Sequence, residues 1–322
     1  MSKVCVIGAG RWGKNHIATL NQLGNLGGIV EANPTVLATF QEKYPQAQCF
    51  TSVEDALNED FTGFTIATPA ETHFEVAKKV ITAGKHVLVE KPITMNSADA
   101  ITLNNLAIKY HVNLMVGHVL LFHPAFQKIQ QLITDGTLGD LQYLYSNRLN
   151  LGTIRTEENV FWSFAPHDIA LFQYLTDSSP LKITSRGMDI LQNGIHDTTI
   201  TTLEYPNKTM GHIFVSWLHP FKEHRFVVVG SKGMIRFEDS AEGKPLVYYN
   251  KSVKWEGGKP IPYNGATLLV DYDSNMPLTE ELKYFVKHLN GTPIKISNGE
   301  NAIEVMKILE EATISLTGKN DE

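Results

Sequence analysis

The sequence is short of several features that would place it in a specialised class. Of its 322 residues only Cys5 and Cys49 are cysteine, too few for a disulfide framework. Cys5 lies inside the apolar run Val4-Cys5-Val6-Ile7, so both thiols are expected to be reduced and structural in a cytoplasmic protein. No apolar stretch approaches the roughly 20 residues of a transmembrane helix. Met1-Ser2-Lys3 runs straight into that first apolar segment, without the charged and long apolar regions of a secretory leader. Positive charge is scarce too: 28 Lys and Arg stand against 34 Asp and Glu, a net charge of −6. Bulk attraction to nucleic acid or to an acidic membrane is thereby excluded, and a phosphate-bearing ligand must find cations or helix N-termini locally. The twelve histidines include His118 with His123 and His219 with His224 at i, i+5, which is not the i, i+4 spacing of a helical zinc pair. With no cysteine cluster either, no metal is expected. The G-x-S-x-G elbow of a Ser/His/Asp hydrolase is missing, as are internal repeats and low-complexity tracts.

What is present is an alternation of strand and helix. With 43% hydrophobic and 19% charged residues the chain is an ordinary globular one, and its length suits two domains. Val4–Ile7 leads into Gly8-Ala9-Gly10-Arg11-Trp12-Gly13 and then a helix with His16, Ile17 and Leu20 at helical spacing. In a G-x-G-x-x-G loop of this kind Gly8 permits the tight turn and Gly10 lets a pyrophosphate approach the backbone. Gly13 allows close helix–strand packing, and the helix N-terminus faces the phosphates. Arg11 and Trp12 are counted with these glycines as cofactor contacts. Glu31 ends the next strand about 20 residues on, where an acid accepts from an adenosine ribose diol. It would repel a 2′-phosphate, and no Lys or Arg follows before Lys43, so NAD is favoured over NADP.

Further strands are expected at Phe64–Ala67, ending at Thr68-Pro69, at Val87–Val89 and at Leu114–Val116, with helices between them. That gives an α/β doubly wound parallel sheet, a Rossmann domain over residues 1–119. Pro92 ends the strand ladder and holds Lys91 extended. Thr68, Glu90, Lys91 and His118 all fall at strand carboxyl ends, where open α/β sheets bind ligands. Beyond the boundary near residue 119 the style changes to an α+β domain over 120–322 with a large, mostly antiparallel open sheet. Helices are expected at 124–134 and 164–175, strands at 141–150 and, mainly, after Leu181. The segment 251–277, rich in Gly, Pro and Tyr, reads as a long loop, and two helices at 278–289 and 301–317 close the chain.

At this point the chain resembles the Gfo/Idh/MocA family of oxidoreductases. The matching residues are the glycine loop, Ala67-Thr68-Pro69 with His73, Gly84-Lys85-His86-Val87 running into Glu90-Lys91-Pro92, and Pro166-His167-Asp168. Within the family, Asn147 to Gly152, Arg155, Glu158-Asn159-Val160 and Trp162 to Asp168 look like the branch acting on nucleotide-linked sugars. That branch includes dehydrogenases that oxidise the 3-hydroxyl of UDP-N-acetylhexosamines. The resemblance implies that Pro69, His73 and Glu90 contact the cofactor, that Lys91 and His167 share the substrate hydroxyl, and that the peptide before Pro92 is cis. It also implies a homodimer or homotetramer through the C-terminal sheet. Ser163 departs from inositol-dehydrogenase-like members, which have Asp four residues before the histidine; the work therefore falls on Lys91 and His167. His167 starts with a pKa suited to taking the hydroxyl proton, while Lys91 would hydrogen-bond the same oxygen and stabilise alkoxide charge. Arg148, Arg155 and Arg225 are candidates for a substrate diphosphate, because guanidinium pairs with phosphate in a fork. Trp162 is a candidate sugar or base contact, and His118 a candidate lining residue. Two other readings stand beside this one: a ketoreductase or dehydrogenase on another nucleotide sugar, a free sugar or inositol, and a non-catalytic NAD-binding regulator.

Overall fold

The computed structural model describes residues 2–318. It contains two compact units, one of residues up to 122 together with 275–306, the other of 123–274 with the residues from 307 on. The chain begins with β1 (Val4–Ile7), α1 (Gly13–Gln22), β2 (Leu26–Val30), α2 (Pro34–Lys43), β3 (Gln48–Phe50) and α3 (Val53–Leu57). It continues with β4 (Gly63–Ile66), α4 (His73–Thr82), β5 (His86–Val89), α5 (Ser97–Lys109) and β6 (Leu114–Val116). The strands form one sheet in the order β3-β2-β1-β4-β5-β6, every pairing parallel. All residues of β1 and β4 are buried, as a parallel sheet covered on both faces requires. The order reverses between β1 and β4, which opens a crevice at their carboxyl ends.

The sequence reading passes over α2, β3 and α3, although their signals are local. Asn33 caps α2 by accepting from the N–H groups of Thr35 and Val36, with Pro34 in the first turn. Ser52 caps α3 in the same way through Asp55. The sequence places Tyr110 on the inward face of the helix before Leu114, whereas the structure leaves it 38% exposed just past the end of α5.

The second unit holds α6 (Pro124–Thr134), β7 (Leu141–Leu149), α7 (Val160–Phe164), α8 (Pro166–Thr176), β8 (Lys182–Met188), β9 (Thr198–Glu204) and β10 (Met210–Ser216). Then follow β11 (Glu223–Gly230), β12 (Met234–Glu238), β13 (Leu246–Glu256) and β14 (Lys259–Leu269). Its eight strands run in the order β14-β13-β12-β11-β7-β10-β9-β8. All neighbours are antiparallel except β7 and β10. Burial alternates along β9, β10 and β11, so one face of the sheet is core and the other is only partly covered.

The helix expected at 164–175 is α8, started by Pro166, with the short α7 ahead of it. One expectation is corrected. The expected loop at 251–277 is largely the β13–β14 hairpin, turned at Gly257 and Gly258, both at positive φ. Nearly every residue of β14 is exposed, so neither face carries an alternating apolar signal. Pro260 and Pro262 fit because β14 is an edge strand.

The chain then returns to the first unit with α9 (Pro277–Lys287) and the start of α10 (Gly299–Thr317). Glu281, Leu282 and Phe285 are the buried residues of α9. The helix lies against the sheet at Gly63, where an added Cβ would come within 2.5 Å of the Leu289 side chain.

Candidate active site

The glycine loop takes the shape its spacing calls for. Gly8 sits at φ +93, a conformation open to glycine, and a Cβ on Gly13 would lie 1.9 Å from the Gly8 carbonyl oxygen. Around Gly10, in contrast, nothing stands within 4 Å of an added Cβ. That is the space a pyrophosphate needs to reach the backbone ahead of the ten-residue α1. Glu31 closes the loop from β2: its Oε2 accepts from Ala9 N–H at 2.9 Å and its Oε1 from Asn33 N–H at 3.0 Å. A carboxylate has lone pairs beyond these two bonds for a ribose diol. The residues present therefore fit a dinucleotide.

At the end of β5 the Lys91–Pro92 peptide is cis. Glu90, 8% exposed, holds its surroundings together. Its Oε1 accepts from the indole N–H of Trp12 and lies 2.8 Å from His16 Nε2, and its Oε2 accepts from Lys91 N–H at 3.2 Å. The carboxyl is pressed onto the backbone of Gly117, where a Cβ would come within 2.9 Å of it. The Trp12 bond ties the glycine loop to the turn that carries Lys91. His73, read from the sequence as a cofactor contact, is 1% exposed, with Nδ1 2.7 Å from the Pro92 carbonyl oxygen and Nε2 2.9 Å from that of Thr68. Thr68 Oγ1 accepts from the Thr72 hydroxyl at 2.7 Å.

His118 follows β6 and is buried. Burial, and then the charge of Lys91, push its pKa down to about 3, so the ring is neutral at physiological pH and is no proton donor of the imidazolium kind. Two residues near this turn carry no motif. His16 belongs to the buried face of α1. Glu281 is fully buried, and neither of its carboxyl oxygens has a hydrogen-bond partner among the described residues. Burial first, then the negative charge of Glu90, hold its carboxyl well above the usual range. The one trace of Glu281 in the sequence is a carboxylate adjoining Leu282 on the apolar stripe of a helix.

In the second unit His167 is the half-buried second residue of α8, and Ser163 precedes it in α7. Asp168 beside it is fully buried, accepting from Ser146 Oγ at 2.6 Å and from Arg148 Nε at 2.5 Å. Arg148, a candidate phosphate ligand, thus gives its Nε to a carboxylate of its own unit. Arg225 does likewise with Glu238 at 2.6 Å, and the Trp162 indole donates to Thr313 Oγ1 at 2.8 Å. Arg155 is looser, its guanidinium 3.6 Å from Glu157 and 4.0 Å from Glu158. A buried carboxylate with no motif, Asp197, shapes this region. It accepts from the Trp217 indole and from the N–H groups of Ile190 and Leu191, and the loop it folds donates Gln192 Nε2 to the Arg155 carbonyl at 2.8 Å. Among the described residues no group of three or more His, Cys, Asp and Glu could hold a metal ion. No described helix is long and apolar enough to cross a membrane.

Comparison with known proteins gives the same frame. A family profile described as "Oxidoreductase family, NAD-binding Rossmann fold" matches residues 2–118, and one described as "GFO/IDH/MocA C-terminal domain" matches residues 126–236. A UDP-N-acetylglucosamine 3-dehydrogenase of Acidithiobacillus ferrooxidans is 32% identical over 184 residues, a match spanning 57% of this chain and 57% of that one. Its solved structure superimposes with a TM-score of 0.86 at 23% identity, covering 98% of this chain and 97% of the other. An inositol 2-dehydrogenase of Corynebacterium glutamicum is 26% identical over 64% of each chain. The structure of a scyllo-inositol dehydrogenase from Lactobacillus casei, with bound NAD(H) and scyllo-inositol, aligns with a TM-score of 0.80 at 18% identity over 99% of this chain and 97% of that one. Together, the two profiles in sequence order, the glycine loop with its open Gly10 and the acid closing β2 place this chain in the Gfo/Idh/MocA family, as an NAD-binding oxidoreductase.

Proposed function

We propose that the protein oxidises a secondary hydroxyl of a nucleotide-linked sugar, first the 3-hydroxyl of UDP-N-acetylglucosamine, giving the 3-keto sugar and NADH. The observation that carries this reading is the 32% identity to a relative named for that reaction. It is supported by the segments Asn147–Gly152 and Trp162–Asp168, which resemble the nucleotide-sugar branch. When bound, NAD would supply the acceptor for the sugar hydride, and His167 would take the hydroxyl proton. Lys91 donates a hydrogen bond to the oxygen as negative charge grows on it. Of the candidate diphosphate ligands Arg155 has the longest intramolecular contacts and is the one we assign first.

A free polyol is the second reading. It is favoured by the engagement of Arg148 and Arg225 with carboxylates, which leaves fewer cations for a diphosphate, and by the inositol dehydrogenases among the relatives. The test is direct: protein, NAD and UDP-N-acetylglucosamine are mixed, in parallel with its uronate and with myo-inositol, and absorbance of reduced nicotinamide is followed. Turnover of inositol alone would replace the nucleotide-sugar reading. Absence of turnover with every substrate, while NAD still binds, would favour a regulator. The half-exposed sheet face with Tyr143, Tyr145 and Phe214 supports a homodimer or homotetramer as part of this proposal. Sedimentation equilibrium checks it, and a monomer would sink it.

A further inference from the structure

Lys91 must present its amine to a reacting oxygen within tenths of an ångström, yet it sits on a turn outside any helix or strand. Its backbone is fixed on the amino side by Glu90, whose carboxylate accepts from Lys91 N–H. On the carboxyl side the next residue is proline, which has no N–H to donate but does offer its carbonyl as an acceptor. That carbonyl is met by His73 Nδ1 at 2.7 Å, while Nε2 of the same ring meets the Thr68 carbonyl at 2.9 Å. Carbonyl oxygens accept only. An imidazole ring carries at least one N–H, so it has a donor to give between these two acceptors. Thr68 and Pro92 follow neighbouring parallel strands, β4 and β5, so the ring joins two strand-end turns 24 residues apart by number, 92 against 68. At 1% exposure and with both nitrogens engaged, His73 has no polar atom left to offer a dinucleotide.

We propose that His73 is a positioning residue for Lys91, a clamp that fastens the Lys91–Pro92 turn to the Thr68 turn, and not a cofactor ligand. The inference rests on the reading of Lys91 as the amine that meets the reacting oxygen. His73 touches neither substrate nor cofactor; it acts through the Pro92 carbonyl on where the Lys91 backbone lies. A displacement of about 1 Å at such a residue lowers turnover about 100-fold.

The test compares His73→Leu, which has no donor, with His73→Gln, whose amide nitrogen carries two N–H donors. Three quantities are measured: kcat at saturating NAD, the Kd for NADH, and the acetylation rate of Lys91 by acetic anhydride in the protein without substrate. The last is read by peptide mass spectrometry against the exposed Lys78. The Leu variant is expected to lose about 100-fold in kcat, keep its NADH Kd within about threefold, and change the Lys91-to-Lys78 acetylation ratio by at least about threefold. The Gln variant is expected to fall between it and the parent on both affected measures. Weakened NADH binding with kcat and Lys91 reactivity unchanged would overturn the proposal in favour of a cofactor contact. An unchanged Lys91 ratio in a folded Leu variant would overturn it outright. Should the Leu variant fail to fold, His73→Phe, a ring without a donor, decides in its place: an altered Lys91 ratio with NADH binding kept supports the clamp, and a parental ratio overturns it. Because acetylation needs no substrate, a failed clamp and a wrongly assigned substrate give different results.

Discussion

In the first unit, the groups assigned to the cofactor are largely backbone ones, the loop from Gly8 to Gly13 and the start of α1. The polar side chains behind them, His16, His73, Glu90 and Glu281, are sealed from water. In the second unit the candidate ligands are long side chains, and Arg148, Arg225 and Trp162 are already bonded to other residues of that unit. The contrast shows two ways of building a site. Where backbone does the binding, the requirement is a spacing of small residues, and it is written locally in the chain. Where side chains do it, their availability depends on which carboxylates the fold brings alongside, and no local pattern records that.

The contrast can be broken at several points. The largest expected effect is at the reacting turn: Lys91→Ala should lower kcat about 10⁴-fold while NADH binding, followed by fluorescence, persists. Near-normal turnover would remove Lys91 from the chemistry. Next comes the buried pair of the second unit. Asp168→Ala leaves Arg148 without its partner and should cost about 3 kcal/mol in urea unfolding; Arg155→Ala, at a partly exposed pair, should cost less than about 1 kcal/mol and act instead on substrate KM. Equal destabilisation by both would erase the distinction drawn between these arginines.

The glycine loop offers a sharper pair. Gly13→Ala drives a Cβ toward a carbonyl oxygen 1.9 Å away and should lower stability by about 2 kcal/mol. Gly10→Ala meets no atom within 4 Å and should leave Tm unaltered while weakening NAD about tenfold. If both changed Tm alike, Gly10 would not face open space.

The smallest effects are those of pH. Glu281 has its folded pKa raised above its ordinary 4.5, so above that pH the unfolded chain ionises first and stability falls as pH rises. His118 is the reverse, lowered from 6.5 to about 3, so stability is lost as pH falls below 6.5. The two together favour a stability maximum between those values, and Glu281→Gln should flatten the alkaline limb. A Tm–pH curve for the variant that parallels the parent's would show that Glu281 does not titrate in this range.

The strand–helix alternation, the strand ends and the glycine loop were legible because each rests on short-range rules: a β-branched run, a capping residue, a glycine where a Cβ has no room. Even α2, with Asn33-Pro34 at its start, carried such a signal and could have been found. The β13–β14 hairpin could not be read from periodicity, because no residue of its strands beyond Val247 is buried. The return of α9 to the first unit was hidden for another reason. Leu282 and Phe285 declare an apolar stripe, but a stripe does not name the surface it covers. Glu281 and Asp197 were hidden most deeply, since a carboxylate in a sequence looks like a surface charge until the fold closes over it.

Trp12 has an optical consequence. Of the four tryptophans, Trp162, Trp217 and Trp255 belong to the second unit, which leaves Trp12 as the sole indole of the first. It is 39% exposed, sits inside the loop assigned to the dinucleotide, and has its N–H on Glu90. The cofactor loop therefore contains its own fluorophore, one whose emission overlaps the absorption of reduced nicotinamide. Quenching that is present in the parent and lost in Trp12→Phe would give the occupancy of this loop without any added label.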